Sequence, residues 1–68
     1  MRTYGKLREQ IRKKFGTQKN FAIAIEMSVA TLNAKLNDKT DWTMKEVEKS
    51  CKLLGIPLSE MNDYFFYS

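Results

Sequence analysis

Thr17, Gln18 and Lys19 are three consecutive polar residues whose types and order suit the start of a helix that contacts an anion. Thr17 is a good N-cap, because its hydroxyl can accept a hydrogen bond from a free amide of the first helical turn. The amides and the dipole at such an N-terminus attract phosphate oxygens, which Gln18 and the adjacent Lys19 can also contact. The three residues therefore predict a phosphate contact, although capping alone would be sufficient to explain Thr17.

The other reactive residue types give little basis for catalysis or metal binding. Histidine is absent, which removes both the imidazole ligand and the side chain best suited to proton transfer near neutral pH. The single cysteine, Cys51, falls in an apolar helical row, so we expect a buried hydrophobic residue rather than a reactive thiol. We therefore expect no enzyme activity, no catalytic residue, no metal site, no cofactor and no small-molecule ligand.

The length and the hydropathy pattern predict one small soluble domain over residues 1–68. No apolar run is long enough to span a membrane, and no signal-peptide segment is present. A lone cysteine cannot form an internal disulfide, which suits a reducing compartment. We expect a cytoplasmic protein with no membrane partner.

The positive charge is concentrated in the first part of the chain. Residues 1–39 contain nine Lys and Arg against three acidic residues, a balance of +6, whereas residues 40–68 contain three Lys against five acidic residues, a balance of −2. A basic half of this kind suits contact with a polyanion, because neutralising phosphates releases counterions. A solvated basic face without a ligand is the competing interpretation.

Residues 17–37 predict two short helices joined by a tight turn. The first begins at Gln18, and the second follows Ser28, a second N-cap. Glu26 and Met27 leave room only for the turn between them, so the helices must cross steeply. The apolar positions at helical spacing, which we expect in the core together with Met27, are Phe21, Ala22, Ile25, Leu32 and Leu36.

The flanking segments predict three further helices, which makes the fold all-α. The first runs from Tyr4 to Phe15 with Thr3 as N-cap, and Gly16 ends it. Residues 37–41 form an exposed loop. The fourth helix begins at Met44 and ends at Gly55, and Thr43 and Glu46 form a capping box at its start. Its apolar row consists of Met44, Val47, Cys51 and Leu54. A last short helix, capped by Ser59, extends through Phe65 or Phe66.

The order and spacing of these signals resemble a known family. The series is T-Q, F-A-x-x-I, M-S-x-x-T-L-x-x-x-L-N-x-K and then L-L-G-I-P-L-S. It is similar to the phage Cro/repressor type of helix-turn-helix domain over roughly residues 7–65, in particular to small stand-alone regulators of Cro type. The resemblance implies the compact five-helix lambda-repressor-like fold. Glu26 and Asp38 stand where that family usually has glycine, so each must adopt a left-handed backbone.

The resemblance also implies a DNA interface, since the second helix of the pair enters the major groove in that family. The matching base-contact positions are Val29, Ala30, Asn33 and Ala34. The small apolar side chains can contact thymine methyl groups, and hydrogen-bonding readout falls to Asn33 with Thr31 or Lys35 at the flanks. The expected phosphate contacts are Thr17, Gln18, Lys19, Lys35, Asn37 and Lys39.

Two classes of function follow. One is a Cro-like transcriptional repressor that binds a palindromic operator on double-stranded DNA as a homodimer, or a related antitoxin-type autoregulator. Such a protein would be associated with the nucleoid of a bacterial host cell. The other is a helical protein-interaction module of the same fold that does not bind DNA, which the apolar residues Val29, Ala30 and Ala34 favour. The run Tyr64 to Tyr67, within residues 59–68, is the expected material for a dimer contact.

Overall fold

A computed structural model of the chain describes residues 2–66 and consists of five α-helices and one 3-10 turn. The elements are α1 Gly5–Phe15, α2 Gln18–Ala24, α3 Val29–Leu36, α4 Met44–Leu54, the 3-10 helix Leu58–Glu60 and α5 Met61–Phe65. Residues 2–66 contain no β-strand. The prediction of an all-α, five-helix domain is confirmed.

The core is formed where all five helices meet. α1 packs against α2, α4 and α5, and α2 packs against α3. Each helix contributes residues from one apolar face, as expected for helices that bury a single stripe. The most completely buried large apolar side chains are Leu7, Ile11, Phe21, Leu32, Leu36, Val47, Leu54 and Phe65. All the residues predicted for the core of the α2–α3 pair are buried except Met27, which is half-buried against them.

α1 begins one residue later than predicted and without a side-chain cap. Tyr4 precedes the helix in a left-handed conformation, with φ of 54°, and no side chain caps the N-terminus. The prediction that Thr3 caps the helix is therefore wrong. The reason is tertiary, since Tyr4 is only 2% exposed and its ring lies 6.4 Å from that of Trp42.

α4 has the predicted capping box. The Thr43 hydroxyl accepts from the Glu46 amide at 3.2 Å, and the Glu46 carboxylate accepts from the Thr43 amide at 2.9 Å. Gly55 ends the helix with φ of 68°, a left-handed value that glycine adopts without a steric penalty. Met44 is an exception to the predicted apolar row: it is the first residue of α4, lies outside the core and is 55% exposed.

The C-terminal segment is organised by Phe65 rather than by a cap. Ser59 lies inside the 3-10 helix and Glu60 precedes α5, where no side chain caps the helix, so the prediction of Ser59 as cap is wrong. Phe65 is buried and packs edge-on against Trp42 with ring centroids 5.1 Å apart. Tyr64 is half-buried and Phe66 is exposed. The predicted dimer segment 59–68 thus contains a core residue, and Tyr67 lies outside the described residues.

Candidate interaction surface of the α2–α3 pair

Both helices of the pair are capped as their sequence predicts. The Thr17 hydroxyl oxygen accepts from the Asn20 amide at 3.1 Å, and the Ser28 hydroxyl oxygen accepts from the Thr31 amide at the same distance. The Ser28 hydroxyl also lies 2.8 Å from the Thr31 hydroxyl. Each bond satisfies one of the amides left free at a helix N-terminus. These caps fix where the two helices begin.

The two positions where the resembled family has glycine do adopt the left-handed backbone. Glu26 has φ of 60° and Asp38 has φ of 59°. The α2–α3 turn is closed by the Glu26 amide bonded to the Ile23 carbonyl at 3.2 Å and by the Met27 amide bonded to the Ala22 carbonyl at 2.9 Å. The turn therefore keeps this shape without glycine.

An exposed apolar group lies on either side of this turn, and we call Ile23, Val29 and Ala30 the apolar tip. Ile23, near the end of α2, is 67% exposed, and Val29, the first residue of α3, is 49% exposed. Ala30 is also exposed. Of the other predicted base-contact residues, Asn33 is exposed one turn further along α3, and Ala34 is half-buried.

The predicted phosphate contacts differ in accessibility. Thr17, Lys19 and Lys39 are exposed. Gln18 is half-buried and lines a cleft of about 260 Å³ together with Arg8, Ile11, Arg12, Gly16 and Thr17. The cleft brings two α1 arginines to the start of α2, which the sequence did not suggest.

Lys35 is not available as predicted. Its side chain is 9% exposed, and its ammonium lies 2.9 Å from the Glu46 carboxylate and 2.8 Å from the Asp41 carbonyl oxygen. The Trp42 ring centroid is 5.9 Å from the same nitrogen. Lys35 therefore joins α3 to α4 inside the protein, and we remove it from the phosphate-contact set.

Asn37 is held by a residue that sequence reasoning missed. One Arg8 nitrogen donates to the Asn37 side-chain oxygen at 2.8 Å and to the Leu36 carbonyl at 2.7 Å. Arg8 also donates to the Thr3 carbonyl at 3.0 Å. The Arg2 amide donates to the Asp38 carboxylate at 3.0 Å. The N-terminal segment and α1 thus fix the end of α3, and one acceptor of Asn37 is already used.

The described part of the chain offers no group of three or more His, Cys, Asp or Glu side chains placed to hold a metal ion. Burial raises the pKa of the Cys51 thiol, so its neutral form is favoured. None of the helices described for residues 2–66 is long and apolar enough to cross a bilayer.

Comparison with known proteins identifies the family. Residues 2–68 match the family described as "Protein of unknown function (DUF739)". The chain belongs to the DUF739 family. This match differs from the Cro/repressor family that roughly residues 7–65 resemble.

A solved structure is similar to this chain in both sequence and fold. It is the solution structure of the modulator of repression (MOR) of the temperate bacteriophage TP901-1 from Lactococcus lactis. The two chains are 41% identical, the TM-score is 0.85, and the similarity covers 94% of this chain and 86% of that one. No match was found among curated proteins.

Proposed function

We propose that this DUF739 protein is a phage regulator that modulates repression by binding a repressor protein through its apolar tip. The regulatory role rests on the similarity to a phage modulator of repression over nearly the whole chain. The mode of action, contact with a protein rather than with an operator, rests on the surface of the α2–α3 pair. The chain then acts in the bacterial cytoplasm, where a phage repressor works.

The exposure of the apolar tip carries the proposal. Ile23 and Val29 are two of only a few large apolar side chains in residues 2–66 that are exposed, and both lie next to the α2–α3 turn. An isolated exposed apolar residue needs no explanation, but two that flank one turn suggest a docking site. Protein interfaces combine an apolar centre with a polar rim. Ile23, Val29 and Ala30 supply the apolar part of this surface, and the exposed Glu26 between them supplies a charge.

The same surface suits base recognition less well. Val29 and Ala30 cannot form the paired hydrogen bonds that identify guanine or adenine. Lys35 is neutralised by Glu46, and Asn37 accepts a hydrogen bond from Arg8. Two of the groups expected to contact DNA on α3 and its C-terminal loop are therefore engaged within the protein.

Calorimetric titration against the repressor encoded in the same phage genome tests the proposal. Ile23→Ser or Val29→Ser should each weaken binding roughly tenfold, since each removes an apolar side chain from the contact. Met44→Ser is the matched control, because Met44 is also apolar, has an exposure between those of Ile23 and Val29, and belongs to α4. Equal affinities for the three variants and the wild type would refute the tip as the binding site.

A second candidate is the operator-binding repressor, and one observation favours it: Lys19, Asn33 and Lys39 remain exposed within the basic half of the chain. The protein would then bind inverted half-sites as a homodimer and associate with the nucleoid. Fluorescence anisotropy with a random-sequence duplex at two salt concentrations tests this candidate. Each phosphate contact contributes about −0.9 to the salt slope, so Lys39→Ala should make the slope shallower by about that amount. Lys45→Ala, in the acidic half, is the control.

A further inference from the structure

We propose that the groove beside α4 is a second docking site, which receives an acidic amphipathic segment of the same repressor protein that contacts the apolar tip. This proposal rests on the proposed function and extends it. The groove has a volume of about 440 Å³ and is lined by Glu48, Lys49, Cys51, Lys52, Ile56 and Leu58. Its size lies within the roughly 300–1,000 Å³ typical of binding clefts.

The groove has an apolar floor and one apolar wall. Cys51 and Ile56 are 2% and 5% exposed, so they form a well-packed floor. Leu58 begins the 3-10 helix and is 64% exposed. A large aliphatic side chain exposed beside a buried apolar floor gives a partner side chain contacts on two sides. The occupant should therefore present an apolar residue to the groove.

The charges around the groove favour carboxylates on that occupant. Lys49 and Lys52 line it, and the Lys14 ammonium lies 3.9 Å from the position that a Cβ at Gly55 would occupy, directly before Ile56. Within residues 2–66, neither Lys14 nor Lys52 forms an ion pair. Glu48 is the single acidic residue of the lining. The lining itself carries a net charge of +1, from Lys49 and Lys52 against Glu48, and Lys14 adds a third cation beside it. Glu26 pairs with Lys49, so Lys52 and Lys14 are the cations that would attract an acidic segment.

The groove is linked to the α2–α3 turn by one ion pair. The Lys49 ammonium lies 3.4 Å from the Glu26 carboxylate. Glu26 belongs to the turn between Ile23 and Val29, whereas Lys49 lines the groove, so this ion pair marks the boundary between the two surfaces. Both partners of the pair are substantially exposed and easily displaced. One protein can therefore cover the tip and reach the groove.

The test uses the full chain and the same repressor. Leu58→Ser should weaken binding by roughly tenfold, because it removes the apolar wall, and Lys52→Glu should weaken it through charge reversal. Met44→Ser is again the control. In the wild type, the methyl NMR signals of Ile56 and Leu58 should shift when the repressor is added. The melting temperature and circular dichroism of each variant establish that it is folded.

The outcomes separate the two proposals. If Ile23→Ser weakens binding while Leu58→Ser, Lys52→Glu and the groove methyl signals are unaffected, the groove proposal is overturned and the tip proposal stands. If Leu58→Ser changes only the self-association measured by sedimentation, a second copy occupies the groove and the proposal is again overturned. If the repressor does not bind the wild type, both proposals fall.

Discussion

The Lys35 ammonium lies 2.9 Å from the Glu46 carboxylate, although the two residues belong to different helices. Glu46 is also the third residue of α4 and accepts from the Thr43 amide in the capping box. The ion pair therefore connects the last turn of α3 to the first turn of α4 and encloses the loop between them. A lysine predicted to contact DNA instead joins α3 to α4.

The first prediction concerns this ion pair. Lys35→Met keeps most of the buried stem and removes the charge, so it leaves the Glu46 carboxylate and the Asp41 carbonyl without their donor. We expect unfolding to become easier by about 1.5–3 kcal/mol, the usual range for hydrogen bonds to a charged group. Urea denaturation measures the change. Lys45→Met is the matched control, because Lys45 is exposed and lies beside Glu46 in the first turn of α4. It should change stability by less than about 0.5 kcal/mol.

The contrast between Lys35 and the helix caps indicates what the sequence can predict. Thr17, Ser28 and Thr43 bond to amides three residues further along, so local sequence was sufficient to place them. The partners of Lys35 and Arg8 are set by how α1, α3 and α4 pack together. Arg8 and Asn37, for example, are 29 residues apart. Such contacts could not be derived before the packing was known.

The candidate surface shows the same contrast between features set by local sequence and features set by helix packing. The two helices and the turn between them were predicted from their caps and apolar spacing, whereas the left-handed backbone at Glu26 and Asp38 was implied by the family resemblance. Spacing places Ile23 off the face formed by Phe21, Ala22 and Ile25, but the accessibility of Ala34 and Lys35 was not predictable, because their exposure depends on neighbouring elements. Ala34 is half-buried and Lys35 is buried, whereas Ile23 is more exposed than any other large apolar residue described in the chain.

The second prediction is a pH dependence centred on Glu46. Burial alone would raise the pKa of this carboxyl, but the hydrogen bond from the Thr43 amide and the Lys35 ammonium outweigh burial and lower the pKa below its ordinary value of 4.5. A carboxyl whose folded pKa is lowered stabilises the fold above its unfolded pKa and loses that contribution as the pH falls through the folded pKa. The contribution should therefore be complete above about pH 5 and decline below pH 4.5.

Comparing wild type with Glu46→Gln isolates this effect. The difference in unfolding free energy between them, measured in urea from about pH 6 to about pH 3, should shrink toward acid. Glu48→Gln, at an exposed position of the same helix, is the control and should show a smaller change. A difference between wild type and Glu46→Gln that stays constant over this range would contradict the prediction.

The third prediction concerns the two left-handed residues. Glu26 has a side chain that is 82% exposed, and its 3.4 Å contact with Lys49 lies at the surface, so glycine there should relieve backbone strain and lose little. Glu26→Gly should therefore stabilise the protein by about 0.5–1 kcal/mol. Asp38→Gly relieves similar strain but loses the acceptor for the Arg2 amide, so its gain should be smaller.

Urea denaturation of the two glycine variants measures these gains. Lys13→Gly, in the last turn of α1 with ordinary helical geometry, is the control and should destabilise by about 0.5–1 kcal/mol, mostly through lost helix propensity, since its ion pair with Glu9 is exposed. If Glu26→Gly is as harmful as Lys13→Gly, the α2–α3 turn depends on the Glu26 side chain and not on backbone geometry.

The fourth prediction separates the adjacent aromatics at the end of α5. Phe65 is 1% exposed and packs against Trp42, so Phe65→Ala should cost about 3–5 kcal/mol through lost burial and the cavity that remains. Phe66 is 41% exposed, and its ring lies 5.8 Å from the Arg2 guanidinium. Phe66→Ala should therefore change stability by less than about 0.5 kcal/mol.

Thermal melting at several protein concentrations measures the effects of Phe65→Ala and Phe66→Ala and also tests self-association, because unfolding of a dimer depends on concentration. If Phe66→Ala lowers the melting temperature and abolishes such a dependence, Phe66 contacts a second copy of the chain.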